Sequence, residues 1–154
     1  VLHRVGDIHA QRLDWRQAIR AYRRIKNVSA QDTKARSALI DLYFKSGQRD
    51  QALQELDELL DLHKARGQSA QLEETLRDAL RSRPDELDLH MRLARVYHDQ
   101  GRKEEAISEL DAIGELQLGM GMTQAARRTI QAIIRLGPDN VDGYRQLLAQ
   151  LQDQ

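Results

Sequence analysis

Five histidines are the residues of this 154-residue chain with the most obvious capacity for chemistry. Imidazoles hold a divalent metal when a helix sets two of them four residues apart on one face and a carboxylate or thiolate closes the set. Here His3 and His9 lie six residues apart, His90 and His98 lie eight apart, and there is no cysteine. The spacing predicts ordinary packing or surface roles, with no metal and no cofactor. Nucleophilic catalysis lacks its frame as well. The serines and threonines stand outside any nucleophile-elbow pattern. GMGM at 119–122 offers two glycines, short of a dinucleotide fingerprint, and falls in a turn between helical patterns. The carboxylates fall at polar positions of helical periods, where a charged face is ordinarily solvated. No enzymatic activity is expected.

One charged pattern stands apart. Arg16, Arg20, Arg23 and Arg24 recur at i, i+4, i+7 and i+8, opposite an apolar face. Formal net charge is zero, yet residues 1–49 hold 11 Lys or Arg against 4 Asp or Glu, and residues 50–115 hold 9 against 17. A basic first third thus abuts an acidic middle. Two outcomes follow. The arginines pair with Asp50, Asp57, Glu58 and Asp61 on a neighbouring helix, or they form an anion patch for a polyanion or nucleic-acid backbone. Pairing is the expectation, and nucleic acid is not the expected partner.

The elements that position these residues are helices. Ala, Leu, Gln, Glu and Arg dominate, and there are two prolines and one phenylalanine. The periodicity predicts helices over about 1–12, 15–27, 33–46, 49–66, 69–82, 86–100, 103–118, 122–136 and 141–152. Val1, Leu2, Val5 and Ile8 share the face of the first. Asp14 and Gln17 fit a capping box for the second. Gly47 and Gly67 end the third and fourth, Ser69 is read as the N-cap of the fifth, and Pro84 stops it. No apolar run reaches the roughly 20 residues of a membrane helix.

The chain also copies itself. Residues 33–86 align with 87–140 without a gap, so that Gly47, Gly67 and Pro84 fall on Gly101, Gly121 and Pro138. Thirteen of the 54 positions are identical, among them Tyr43/Tyr97, Ala52/Ala106 and Leu56/Leu110. Residues 1–32 match the end of this unit, and residues 141–154 open a further copy. Ala18, Ala52, Ala106 and Ala126 fall where two helices approach closely. The whole reads as one repeat domain, opening and closing inside helical pattern, and so as a segment of a longer protein. Cytoplasm is the default compartment.

At Leu93, Ala94, Tyr97, Gly101, Ala106, Leu110 and Ile113, and again at Gly114, Gly121, Ala126, Ile130, Ile133 and Pro138, the chain resembles the tetratricopeptide repeat family. Helices 49–66 and 103–118 each serve two overlapping windows of that pattern, which accounts for their wide apolar stripes. The resemblance implies an all-α fold, a right-handed α-solenoid of antiparallel helix pairs, acting as a scaffold for a protein or peptide partner. It places partner contacts on the inner face of first helices, at Ser37, Asp41, Phe44 and Lys45 in one copy and Met91, Arg95, His98 and Asp99 in the next. The family's carboxylate-clamp subtype is not expected, since Lys34 and Lys45 stand there without a nearby asparagine. A rival reading is self-association through apolar faces at the two ends, Val1, Val5 and Ile8 at one and Leu147, Leu148 and Leu151 at the other.

Overall fold

In the computed structural model the described residues are 1–11, 14–29 and 32–152; of residues 8–11 the backbone alone is described. The expected side-chain roles of Ile8 and His9 therefore lie outside them. Among the described residues all regular structure is α-helical: α1 (Leu2–Gln11), α2 (Trp15–Val28), α3 (Thr33–Lys45), α4 (Arg49–Ala65), α5 (Ser69–Ser82), α6 (Leu87–Asp99), α7 (Lys103–Gly119), α8 (Thr123–Leu136) and α9 (Val141–Gln152). This is the all-α helical-repeat class that the sequence predicts. Helices α6, α7 and α8 start at 87, 103 and 123 where α3, α4 and α5 start at 33, 49 and 69, an offset of 54 throughout.

The turns explain why the helices stop where they do. After α6, Gly101 takes φ of 71°, a left-handed conformation that costs a residue without Cβ little. The N–H of Arg102 then reaches back to the Tyr97 carbonyl at 2.8 Å, which satisfies a carbonyl the helix end would leave orphaned. The same closure recurs from Gln48 to Tyr43, from Gln68 to His63 and from Met122 to Gln117. One assignment differs from expectation: Ser69 is the first helical residue and not the cap. Helix α8 ends at Leu136 as expected, on the left-handed Gly137. At the starts, Asp14 accepts the N–H of Gln17 as expected, and Asp32 does the same for Ala35 at 2.9 Å.

The chain forms two compact units, Val1–Thr75 and Leu76–Gln154. In the first, α1 packs on α2, α2 on α3, and α3 on α4. Its core gathers Ala18, Ile19, Tyr22, Ile25, Ala35, Leu39, Leu42, Tyr43 and Ala52. Tyr22 crosses to α1, where its hydroxyl donates to Asp7; burial and then that carboxylate raise its pKa. The approach there is close: a Cβ on Gly6 would lie 2.6 Å from Tyr22 Cε2 and 2.7 Å from Cζ. In the second unit α7 is packed from two sides, by α6 and by α8, and α9 closes on α8. Tyr144 ties α9 to α7 by donating to Asp111 at 2.8 Å, and burial with that carboxylate pushes its pKa up to about 12. The four predicted close-approach alanines, Ala18, Ala52, Ala106 and Ala126, are all buried.

Candidate functional site

On α6 the helical period divides the residues cleanly. Leu89, Leu93 and Tyr97 turn into the core, and Met91, Arg95, His98 and Asp99 are exposed. Helix α7 runs back along α6 and presents Ala106, Leu110 and Ile113 at i, i+4 and i+7. The last turns of α8 add Ala132, Arg135 and Leu136. Together with Ala94 these residues line one groove of about 620 Å³ in the second unit. Because consecutive helices are antiparallel, Met91 and Ile113 mark one end and Asp99, Ala106 and Leu136 the other. All four partner-contact positions expected on this copy therefore face a common space. Its floor is apolar and its rim is charged. Among the described residues Arg95 and Arg135 are exposed and not ion-paired, whereas Asp99 lies 3.8 Å from His98 Nδ1.

The first copy has the same helix boundaries and a different surface. Its four expected positions lie on α3. Ser37 is exposed, Lys45 is ion-paired to Asp41 at 2.7 Å, and Phe44 is half-buried against the core cluster. Where α6 carries Ala94 and His98, α3 carries Ile40 and Phe44, both larger and apolar. Leu56 on α4 is fully buried, and its counterpart Leu110 is only partly buried. On the helix beside Leu110 the second copy thus carries smaller or more polar residues than the first.

The basic stripe resolves into two kinds of arginine. Arg23 donates from Nε to the Tyr43 hydroxyl at 2.8 Å, with its guanidinium 5.6 Å from the ring centroid. Arg77 makes the same contact to Tyr97 one copy later, at 2.6 Å, so this position serves helix packing. Arg16, Arg20 and Arg24 are exposed. The expected pairing of the stripe with Asp50, Asp57, Glu58 and Asp61 is not what joins the basic and acidic stretches. Lys26 and Arg36 do so, converging on Glu55 and Glu58. Lys26 contacts Glu55 and lies 3.2 Å from Glu58, and Arg36 Nη1 lies 3.4 Å from Glu55 and 2.9 Å from Glu58. Their reach wins because long side chains bury their stems along apolar surface and bring the charge inward. Burial pulls the Lys26 pKa down, but Glu55 and then Glu58 more than offset it and hold it above the usual value. Arg36 foremost holds Glu58 below the usual carboxylate range, against burial and with help from Lys26. The second copy repeats the motif with His90 in the place of Arg36. His90 lies 2.7 Å from Glu109, the counterpart of Glu55, and 2.7 Å from the Pro84 carbonyl.

Two further histidines also have structural partners: His3 meets Asp32 at 2.8 Å, and His63 meets Gln68 and Thr75. Among the described residues no group of three or more His, Cys, Asp or Glu is placed to hold a metal ion. None of the described helices is long and apolar enough to cross a membrane.

A family model described as a tetratricopeptide repeat matches residues 65–151, a span that includes every helix of the groove. No curated protein matches the chain. Solved structures similar in fold include a thermophilic TPR protein of Thermus thermophilus, at 20% identity and a TM-score of 0.36 over 99% of this chain and 98% of that one. MamA is similar at 18% identity and a TM-score of 0.48, covering 97% and 93% of the two chains. YrrB, a TPR protein described as having an unusual peptide-binding site, is similar at 11% identity and a TM-score of 0.36, covering 97% and 89%.

Proposed function

Because this chain belongs to the tetratricopeptide repeat family, with more than half of its length matched, we propose that it is a docking module whose second unit takes a segment of a partner protein into the groove of α6, α7 and α8. The observation that carries this reading is the groove floor at Leu110, partly buried where its repeat counterpart Leu56 is fully buried. An apolar surface held open by rigid helices, with charged residues at its edge, is the usual form of a peptide-binding groove. Met91, 54% exposed at one end, supplies an adaptable apolar contact. Arg95, His98 and Asp99 supply the polar rim. In the first copy Phe44 packs against the core and Asp41 pairs with Lys45, so docking is assigned to the second unit.

Grafting the first copy's residues onto the second tests this. Ala94→Ile with His98→Phe fills the groove with the side chains that the first copy carries at the equivalent positions, Ile40 and Phe44. We expect thermal stability to be kept or raised, because apolar area is buried. A photo-reactive benzophenone amino acid in place of Met91 should cross-link the partner in cells, and the double exchange should abolish that adduct. An adduct that persists in the filled variant would overturn the assignment.

A second reading has its own observation. Arg16, Arg20 and Arg24 lie along one line of α2, exposed and, among the described residues, not ion-paired. Three such charges suit a polyanion. Retention on heparin at roughly 0.15 M salt, lost on changing all three to serine, is its sign. Flow-through of the unaltered protein would end it.

A further inference from the structure

We infer that the segment taken into the groove is acidic and amphipathic: a large apolar side chain that seats on Leu110, with an Asp or Glu beside it held between Arg95 and Arg135. This rests on the docking reading above. It is carried by the way the two copies dispose of their charges. In the first copy the fold neutralises itself. Asp41 is paired to Lys45 at 2.7 Å, and Arg81 to Asp78 at 2.5 Å. At the equivalent places the second copy has Arg95 for Asp41, Asp99 for Lys45 and Ala132 for Asp78. The exchange to Ala132 removes the partner one turn before Arg135, and Arg135 stands exposed without an ion pair among the described residues. Arg95 likewise has none, and since its counterpart is an aspartate, the repeat does not need a cation there.

The two arginines reach the groove from opposite walls, α6 and α8, with the apolar floor between them. The one carboxylate in the lining, Asp99, is faced by His98 at 3.8 Å. Lys103 adds a cation at the same end, with its ammonium 3.9 Å from where a Cβ on Gly137 would lie. In the adjoining first turn of α7, Glu105 is held by Arg102 at 3.3 Å, and Glu104 is the exposed carboxylate there. Guanidinium groups bind carboxylates in a forked, directional way and hold them at the edge of apolar surface. A basic segment would meet two cations that are not ion-paired among the described residues.

The test is a selection of random 12-residue peptides displayed on phage against the whole 154-residue chain. The same selection is run on the filled variant, Ala94→Ile with His98→Phe, and on the charge-reversed variant, Arg95→Glu with Arg135→Glu. The unaltered chain should enrich peptides in which Asp or Glu neighbours Leu, Ile or Phe. Charge reversal should weaken those peptides about tenfold, the effect of losing two exposed ion pairs, and should enrich Lys or Arg instead. Peptides that depend on the open groove but show no acidic bias, or are indifferent to charge reversal, overturn the inference and leave docking intact. Enriched peptides indifferent to the filled groove, or no enrichment at all, overturn both.

Discussion

Glu55→Ala is expected to destabilise the chain by about 3 kcal/mol, the lower end of the range for breaking a buried ion pair. Arg36 and Glu55 are each 8% exposed, and Lys26 joins them. Removing the carboxylate leaves two cations to share Glu58, and neither is restored to full solvation. The lower end is chosen because Arg36 keeps its 2.9 Å contact to Glu58. Glu109→Ala, the same change one copy later, should cost less. There the carboxylate's partner is the His90 imidazole, which carries no obligatory charge, whereas a guanidinium is always charged. Urea unfolding followed by circular dichroism measures both, and equal losses would contradict this account of the cluster. The sign of the acid response follows as well. The Glu58 pKa is depressed in the folded chain, so its contribution is present above the ordinary carboxylate value of about 4.3. That contribution is lost as pH falls through the depressed folded value.

Gly6→Ala is expected to lower stability by about 1–3 kcal/mol, the cost of overfilling a packed site. Helix propensity argues the other way, since alanine inside a helix is favoured over glycine by up to about 1 kcal/mol. Sterics should win. The new methyl would sit 2.6 Å from the Tyr22 ring, a ring that is buried and anchored by its hydroxyl to Asp7. The ring cannot move aside without releasing that hydrogen bond. Pairing the change with Tyr22→Leu should recover much of the loss. A rise in the urea midpoint for Gly6→Ala alone would show that the ring yields freely.

These two sites mark where sequence reasoning stops. The helices and their turns are legible, because apolar residues at helical spacing and glycines at fixed intervals act through local physics. Tyr43, Ala52 and Leu56 can be placed in the core from the same pattern. Glu55 cannot, although it occupies the buried stripe with Ala52, Leu56 and Leu59. Its charge points to solvent, and the compensating cations come from α2 and α3, far off in sequence. Gly6 gives no local sign, since a glycine inside a helix signals close approach only once its neighbour is known. The groove lies between these cases. Repeat register points to Met91, Arg95, His98 and Asp99. That Leu110 is less covered than Leu56, beside the exchanges of Ile40 for Ala94 and Phe44 for His98, is visible only when the copies are compared position by position with burial in hand. Pairing of the stripe with Asp50, Asp57 and Asp61 fails for the same reason as Glu55: it matches exposed charges to exposed charges, and the inner ones make the link.

Docking in the second unit is tested most directly by methyl NMR of the chain as its cross-linked partner segment is added. Shifts should centre on Met91, Ala94, Leu110 and Ile113, with Ile19 and Ile25 of α2 unmoved. Shifts that spare those four methyls and gather on α2 or α1 would contradict it.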